Sequence, residues 1–507
     1  MAVLVSRKDV ASRWLVYLSP VSIVLVAHFL LLSPASVFVL ASESGPASLA
    51  PPPGATSPPI VMLVLDELGT SSLLDGHGTV DAELYPSFAA LADTSTWYRN
   101  TTTVASATPA ALAGLLSGEY PGTTFDSVGV PGRFGGSLFS LFGETHEVRA
   151  FEPLTTFCYE SPSCTPSPHL STLEQVAQLG GVGAHLFGQV LDPRSKVVTL
   201  PVMAAVRDGR DPSDYVERFL ASMDSTNDSA DPSLHFLHLL SPHAPYTRLP
   251  SGRRHGGCEL GDGAPSWQGP WPDDEVAWRA RQRHTFQLQN TDRLLGEIVD
   301  HLRAQDRFDD TLLVVTADHG SAFLPGAFNR TMNEENQAHI AWVPLFIKAP
   351  GQQRGVVDDD PVELVAVVPM LAELTRRVVP WDVDGAPAGA RRGESVATLA
   401  RWPGLTALGE GDQARVTIDR ADGFERVLAY APMGTPGTAA QWRPYQRGRY
   451  ASLLGSTVSD LRVEADGPAG AIDVGEAIVV EAGSSEGHAL VTGWVEPASE
   501  VAVASMV

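Results

Sequence analysis

The chain has 507 residues, too many for one compact domain of ordinary size, so a large domain with a smaller companion is expected. Hydrophobic residues make up 44% and charged residues 19%, the balance of a chain with a substantial core and not of a disordered one. With 59 acidic against 35 basic residues the formal charge is -24, a surface that repels phosphate backbones and argues against nucleic acid as a partner.

At the N-terminus Arg7, Lys8 and Arg13 precede a stretch, Trp14 to Ser42, that holds no Lys, Arg, Asp or Glu. It is long enough to span a bilayer even with Pro20 and Pro34 inside it. Residues 1–42 are therefore read as a membrane anchor, a transmembrane helix whose basic flank stays cytoplasmic and whose downstream chain lies outside. The alternatives are a signal segment cleaved near "VLA" at 39–41 and the last helix of a larger membrane domain; each leaves the rest of the chain on the same side. Residues 43–58, "ESGPASLAPPPGATSP", read as a linker from their Pro, Ala, Ser and Gly content.

A catalytic domain is expected over 59–395. It opens on "PIVMLVLDELG", where five of the six residues from Ile60 to Leu65 are β-branched or Leu, the pattern of a strand buried on both faces. Similar runs recur at "KVVTL" (196–200), "LHFLHLL" (234–240), "TLLVVTADHG" (311–320) and "VPLFIKAPG" (343–351). Helical patterns lie between them. "DPSDYVERFLASM" has Asp211 as N-cap and Pro212 at the first helical position. Trp278 to Gln305 places Leu288, Leu295, Val299 and Leu302 at helical spacing, and "PVELVAVVPMLAELTRRV" is a further helix. This alternation predicts an α/β fold with a mostly parallel central sheet sandwiched by helices, and chemistry at the carboxyl ends of its strands. Residues 396–507 read as a small, acidic, β-rich C-terminal region. Of the three cysteines, Cys158 and Cys164 read as a local disulfide of an exported domain, and Cys258 stands alone.

Two strand ends carry candidate ligands: Asp66 with Glu67, and Asp318 with His319. Carboxylates suit a hard divalent cation, and the imidazole shifts the preference towards manganese or zinc over calcium. One divalent ion (Mn, Mg, Ca or Zn) is the expected cofactor. Between these pairs, in "TTTVASATPAALAGLLSGEYP" (101–121), Thr108 directly precedes Pro109. Thr is a good N-cap and Pro suits the first helical position, so the helix amides and dipole would face the hydroxyl and any anion beside it.

In chain order, "IVMLVLDELG", "TPAALAGLLSGEYP", "LHFLHLLSPHAPY", "TLLVVTADHG" and "VPLFIKAPG" resemble the sulfatase-like branch of the alkaline phosphatase superfamily, over roughly residues 59–390. "NTDRLLGEIVDHL" resembles that family's D-x-x-x-G helix, and "ELVAVVPMLAEL" followed by "WDVDG" its closing segment. The resemblance implies a nucleophile ahead of a helix that ends near L-T-G-x-x-P, here "LLSGEYP"; counting back ten residues from Gly118 reaches Thr108. The Arg of the sulfatase C-x-P-x-R motif is replaced by Leu112, so the formylglycine recognition sequence is missing here. Thr108 is then an unmodified nucleophile and a metal ligand alongside Asp66, Glu67, Asp318 and His319, with Ser106 as the fallback and Thr101 to Thr103 read as loop. "CTPSP" at 164–168 imitates the motif but ends in Pro168.

By the same resemblance His243 contacts the substrate's oxygens or protonates the leaving oxygen, and Arg330 binds substrate oxygens. His238 is a second candidate and His339 a further one, whereas His235 and Asp292 read as structural. The implied protein is a membrane-tethered, metal-dependent hydrolase of phosphate or sulfate esters, with phosphate preferred because the formylglycine motif is missing. The alternatives are a phosphoglycerol- or phosphoethanolamine-type transferase that modifies an envelope glycan or lipid headgroup, and a non-catalytic binding protein of this fold.

Overall fold

The computed structural model describes residues 54–121, 134–155, 157–160, 164–166, 211–226, 232–254, 270–327, 329–330, 332–386, 396–400, 415–430, 470–473 and 492–495. The anchor expected at 1–42, the strand expected at 196–200 and Cys258 lie outside them. Among the described residues, no helix is long and apolar enough to cross a membrane.

Among the described residues, ten strands lie between positions 59 and 386. They are β1 (Ile60–Asp66), β2 (Thr96–Tyr98), β3 (Thr101–Thr102), β4 (Glu147–Phe151), β5 (Cys164–Pro166), β6 (Ser233–Pro242), β7 (Leu312–Ala317), β8 (Leu345–Lys348), β9 (Val356–Asp358) and β10 (Val362–Glu363). The helices are α1 (Pro86–Ala92), α2 (Thr108–Ser117), α3 (Leu138–Phe142), α4 (Pro212–Ser225), α5 (Asp274–Ala304), α6 (Gln337–Ala341) and α7 (Val367–Leu374). Eight strands form one sheet in the order β5-β4-β6-β1-β7-β8-β2-β9. From β5 to β7 every pairing is parallel, while β8 runs antiparallel to both of its neighbours. All seven residues of β1 are buried. Successive side chains of a strand point to opposite faces, so the sheet is covered on both, as the unbroken apolar runs predict.

Helix ends follow the sequence closely where capping is local. Asp211 accepts the Ser213 amide at the start of α4, as expected. Nothing local caps α1; Asp292 on α5 does so, accepting the Ser87 and Phe88 amides. A Cβ at Gly296 would come within 2.7 Å of the Ser87 hydroxyl. The D-x-x-x-G pattern is thus a seat for another helix, with Asp supplying the cap and Gly the clearance.

Two expectations shift. Thr101 and Thr102, read as loop, pair with Val362 and Glu363, which delays the helix expected from Pro361: a short 3-10 turn intervenes and α7 begins only at Val367. The "WDVDG" segment folds against the end of α2: the Asp384 and Gly385 amides donate to Gly118 O, and Trp381 Nε1 donates to Ser117 O. Gly118 itself has φ 78, a left-handed helix terminus that suits glycine.

Within 396–507, β11 (Val396–Ala400) pairs antiparallel with β12 (Arg415–Asp419), and β13 (Gly470–Asp473) with β14 (Thr492–Val495). Helix α8 (Arg420–Tyr430) follows β12 directly. Ile418 and Val427 join the main core, and Tyr430 Oη donates to Phe323 O at 2.9 Å. Cys158 is disulfide-bonded; the side chains of Cys164 and Cys258 lie outside the described residues.

Candidate active site

Strands β6, β1 and β7 are parallel neighbours, so their carboxyl ends meet at one edge of the sheet. That edge receives His243 just past β6, Asp66 and Glu67 at the end of β1, and Asp318 and His319 just past β7. Two glycines let the loops close on one another. A Cβ at Gly69 would lie 2.6 Å from His339 O, and one at Gly320 would lie 2.2 Å from the same atom and 2.9 Å from the Gly69 Cα. The glycines of "DELG" and "DHG" therefore serve close backbone approach.

Thr108 opens α2 beside this edge. It occupies the first helical position, with Ala107 as N-cap and Pro109 next, so the helix begins one residue earlier than the sequence predicts. The reason is that its hydroxyl does not fold back to cap the helix. It points across to the strand ends, 3.3 Å from His319 Nε2 and 3.5 Å from Arg330 Nη2. Ser106 is also buried but makes no such contact with these groups in the hydrogen-bond network.

Arg330 is the hub. Its Nη2 lies 2.6 Å from His319 Nε2, its Nη1 3.4 Å from His243 Nε2, and its Nε 3.3 Å from Glu67 Oε1. A guanidinium only donates, so both imidazoles turn a lone pair towards it. Their Nδ1 atoms then carry the protons, donated by His319 to Gly320 O at 3.0 Å and by His243 to Ala244 O. Burial first, and Arg330 with it, hold both histidines below their ordinary range.

Asp66, Asp318 and His319 offer ligand atoms within 4.8 Å of one another, all buried. Asp66 Oδ1 and Asp318 Oδ2 are buried without a hydrogen-bond partner. Burial first, then the Asp318 carboxylate, push Asp66 well above the usual carboxylate range. Burial works against Asp318 too, but His319, His238 and the Glu67 amide outweigh it and bring that carboxyl below its ordinary value. Two adjacent carboxylates with bare oxygens and an imidazole lone pair make a donor set that fits a divalent cation.

Glu67 is not part of that trio. At φ 67 the chain leaves β1 in a left-handed conformation, and the Glu67 carboxylate accepts the Ala244 amide at 3.2 Å and faces Arg330 and His243. Burial would raise its carboxyl, but His243 and Arg330 outweigh it and hold it below the usual range.

His238 is fully buried, 3.6 Å from Asp66 Oδ2, and burial lowers it to about 4. His235 lies away from the site against Ser222 and Thr226, and His339 against Tyr430. Sequence reading missed two supports. Gln287 on α5 donates to Pro242 O and His243 O while accepting the Thr247 and Arg248 amides, so it clamps the loop that carries His243. Thr103 donates to Asp318 O at 2.5 Å. Neither shows a local signal, because both act across long sequence separations.

The sequence model of one family, described as Sulfatase, matches residues 59–377, more than half of the chain: the protein belongs to the sulfatase family. Arylsulfatase K of Canis lupus familiaris is 31% identical over 96 residues, 19% of this chain and 17% of that protein. Choline-sulfatase of Rhizobium meliloti (strain 1021) is 30% identical over 151 residues, 27% of this chain and 29% of the other. The chain thus spans less than a third of the length of these curated relatives. Among solved structures, a phosphonate monoester hydrolase from Silicibacter pomeroyi superposes with a TM-score of 0.48 at 18% identity, covering 68% of this chain and 79% of that one.

Proposed function

We propose that the protein is a metal-dependent ester hydrolase that uses Thr108 as its nucleophile and takes phosphate esters ahead of sulfate esters. The observation that carries this reading is the placement of the Thr108 hydroxyl. It lies at the N-terminus of α2, within 3.5 Å of both His319 and Arg330 and beside the Asp66–Asp318 pair.

Asp66, Asp318 and His319 would hold the cation, with Thr108 alongside. A bound divalent ion lowers the pKa of a neighbouring hydroxyl and neutralises charge on the ester's oxygens. Arg330 binds those oxygens, and the amides at the start of α2 face the same anion. Thr108, ionised with its proton released to solvent, attacks the central phosphorus through Oγ1 in line with the leaving oxygen, whose bond to phosphorus breaks. His243 Nε2, turned towards the centre, carries the proton to that oxygen as the bond breaks. The negative ester draws the His243 pKa back up from its depressed value, so the proton is available once substrate binds. Water then attacks the phosphorus and the Thr108 Oγ1–P bond breaks; His243 takes the water's proton and Thr108 leaves as the alkoxide, so both groups return to their starting states. With no formylglycine motif around Thr108, a hydrated aldehyde is not the nucleophile, which is why phosphate esters are placed first. The apolar stretch before residue 43 supports a domain tethered outside the cytoplasm.

Turnover of nitrophenyl phosphate, bis-nitrophenyl phosphate, nitrophenyl phenylphosphonate and nitrophenyl sulfate by metal-loaded protein tests the reading. Phosphate esters turn over fastest if it holds; a strong preference for sulfate overturns it.

A further inference from the structure

Glu67 follows Asp66 directly and, from sequence, belongs with the metal ligands. Its geometry gives it another task. In a continuing strand Glu67 would point to the face opposite Asp66. Instead φ is 67, a left-handed conformation that disfavours a residue with a Cβ. The turn sends the main chain and the side chain of one residue to the two halves of the site. The Glu67 amide donates to Asp318 Oδ1 at 3.0 Å, on the cation side. The carboxylate reaches the anion side, with Oε2 accepting the Ala244 amide at 3.2 Å and Oε1 lying 3.3 Å from Arg330 Nε. His243 Nε2 lies 4.0 Å from Oε2. Both ends of this carboxylate are therefore engaged, and the side chain is 1% exposed.

We infer that Glu67 is a positioning residue that fixes Arg330 and the His243 loop against the substrate's oxygens, and that it is not a metal ligand. The inference rests on the functional reading above, which makes Arg330 the anion-binding group. An Arg held by a buried carboxylate loses little freedom on binding an anion, because its fork is already oriented. Removing the carboxylate leaves a buried guanidinium to reorient among His319, Thr108 and His243, and frees the Ala244 amide.

The test compares wild type with Glu67→Gln, Glu67→Gly, Arg330→Ala and the Glu67→Gln/Arg330→Ala double variant. Glycine accepts the positive φ, so Glu67→Gly removes the carboxylate without backbone strain and guards against misfolding as an explanation. Three quantities are measured on purified full chain: bound divalent metal per chain, affinity for inorganic phosphate by calorimetry, and kcat and KM for nitrophenyl phosphate. The expected result is metal content equal to wild type in both Glu67 variants. Phosphate affinity weakens about 10- to 100-fold, and Glu67→Gln adds less than threefold to the Arg330→Ala loss. KM for the ester rises in step with the loss of phosphate affinity. Loss of metal in the Glu67 variants, or additive losses in the double variant, overturns the inference. Metal content and phosphate affinity need no turnover, so a protein inactive on every ester would defeat the functional reading while leaving this result readable.

Discussion

Arg330 Nη2 lies 2.6 Å from His319 Nε2, so a fixed cation occupies the lone pair that a metal ion would use. The two positive charges compete for one atom. Removing the guanidinium by Arg330→Ala should therefore leave metal affinity unchanged or tighten it by about two- to tenfold, while KM for the ester rises. Titration of manganese and zinc into the metal-free variant checks this; a large loss of metal affinity would show that Arg330 supports the site instead.

Asp66 and Asp318 present bare, buried oxygens. Asp318→Asn removes one anionic ligand and should reduce bound metal to well below one per chain, with kcat falling at least about 100-fold. Chelation of the wild type should produce the same loss and lower its melting temperature, with recovery on adding back manganese or zinc. Elemental analysis beside the kinetics reads both.

The proton on His243 matters most where the leaving oxygen is most basic. His243→Asn should slow alkyl phosphate hydrolysis by about 100-fold or more and nitrophenyl phosphate by far less. An equal loss on both would point to substrate binding as the main role of His243.

Stability should fall with acid for a reason outside the site. Burial lowers His146 to about 4 and His235 to about 3. Both folded values lie below the ordinary 6.5, so the unfolded chain binds more protons between them. Their contribution is complete above pH 6.5 and is lost as pH falls towards 4 for His146 and 3 for His235. At about 1.4 kcal/mol per unit, the loss amounts to a few kcal/mol for each histidine. Urea unfolding between pH 7 and 4 measures it, and His146→Gln should flatten the curve.

Asp292 tests whether the D-x-x-x-G helix serves structure. Asp292→Ala uncaps α1 and should destabilise by about 1–2 kcal/mol, with kcat/KM within twofold of wild type. Chemical denaturation and kinetics on one preparation separate the two effects.

Much of this site is legible in the sequence because strand and ligand are neighbours in it. "VLD" and "VTADHG" each place a chemically apt residue at the end of an unbroken apolar run, and parallel pairing brings those ends together. Thr108 is found by the Pro that follows it, although its hydroxyl spends itself on the site and the cap position moves to Ala107. What adjacency hides is direction. Asp66 and Glu67 read as one acidic pair, and only the φ of 67 shows that their carboxylates face different groups. The Gln287 clamp, the Thr103 contact and the docking of α8 join residues far apart in the chain, so no local pattern announces them.

The central claim is that the Thr108 oxygen forms the bond to the ester's phosphorus. The most direct measurement is kcat/KM for nitrophenyl phosphate in Thr108→Ala and Thr108→Ser, each shown to bind metal as wild type does. The account predicts a loss of at least about 1000-fold for alanine, with serine retaining measurable turnover and an acid-quenched phosphoryl adduct on residue 108. Alanine activity within threefold of wild type would contradict it.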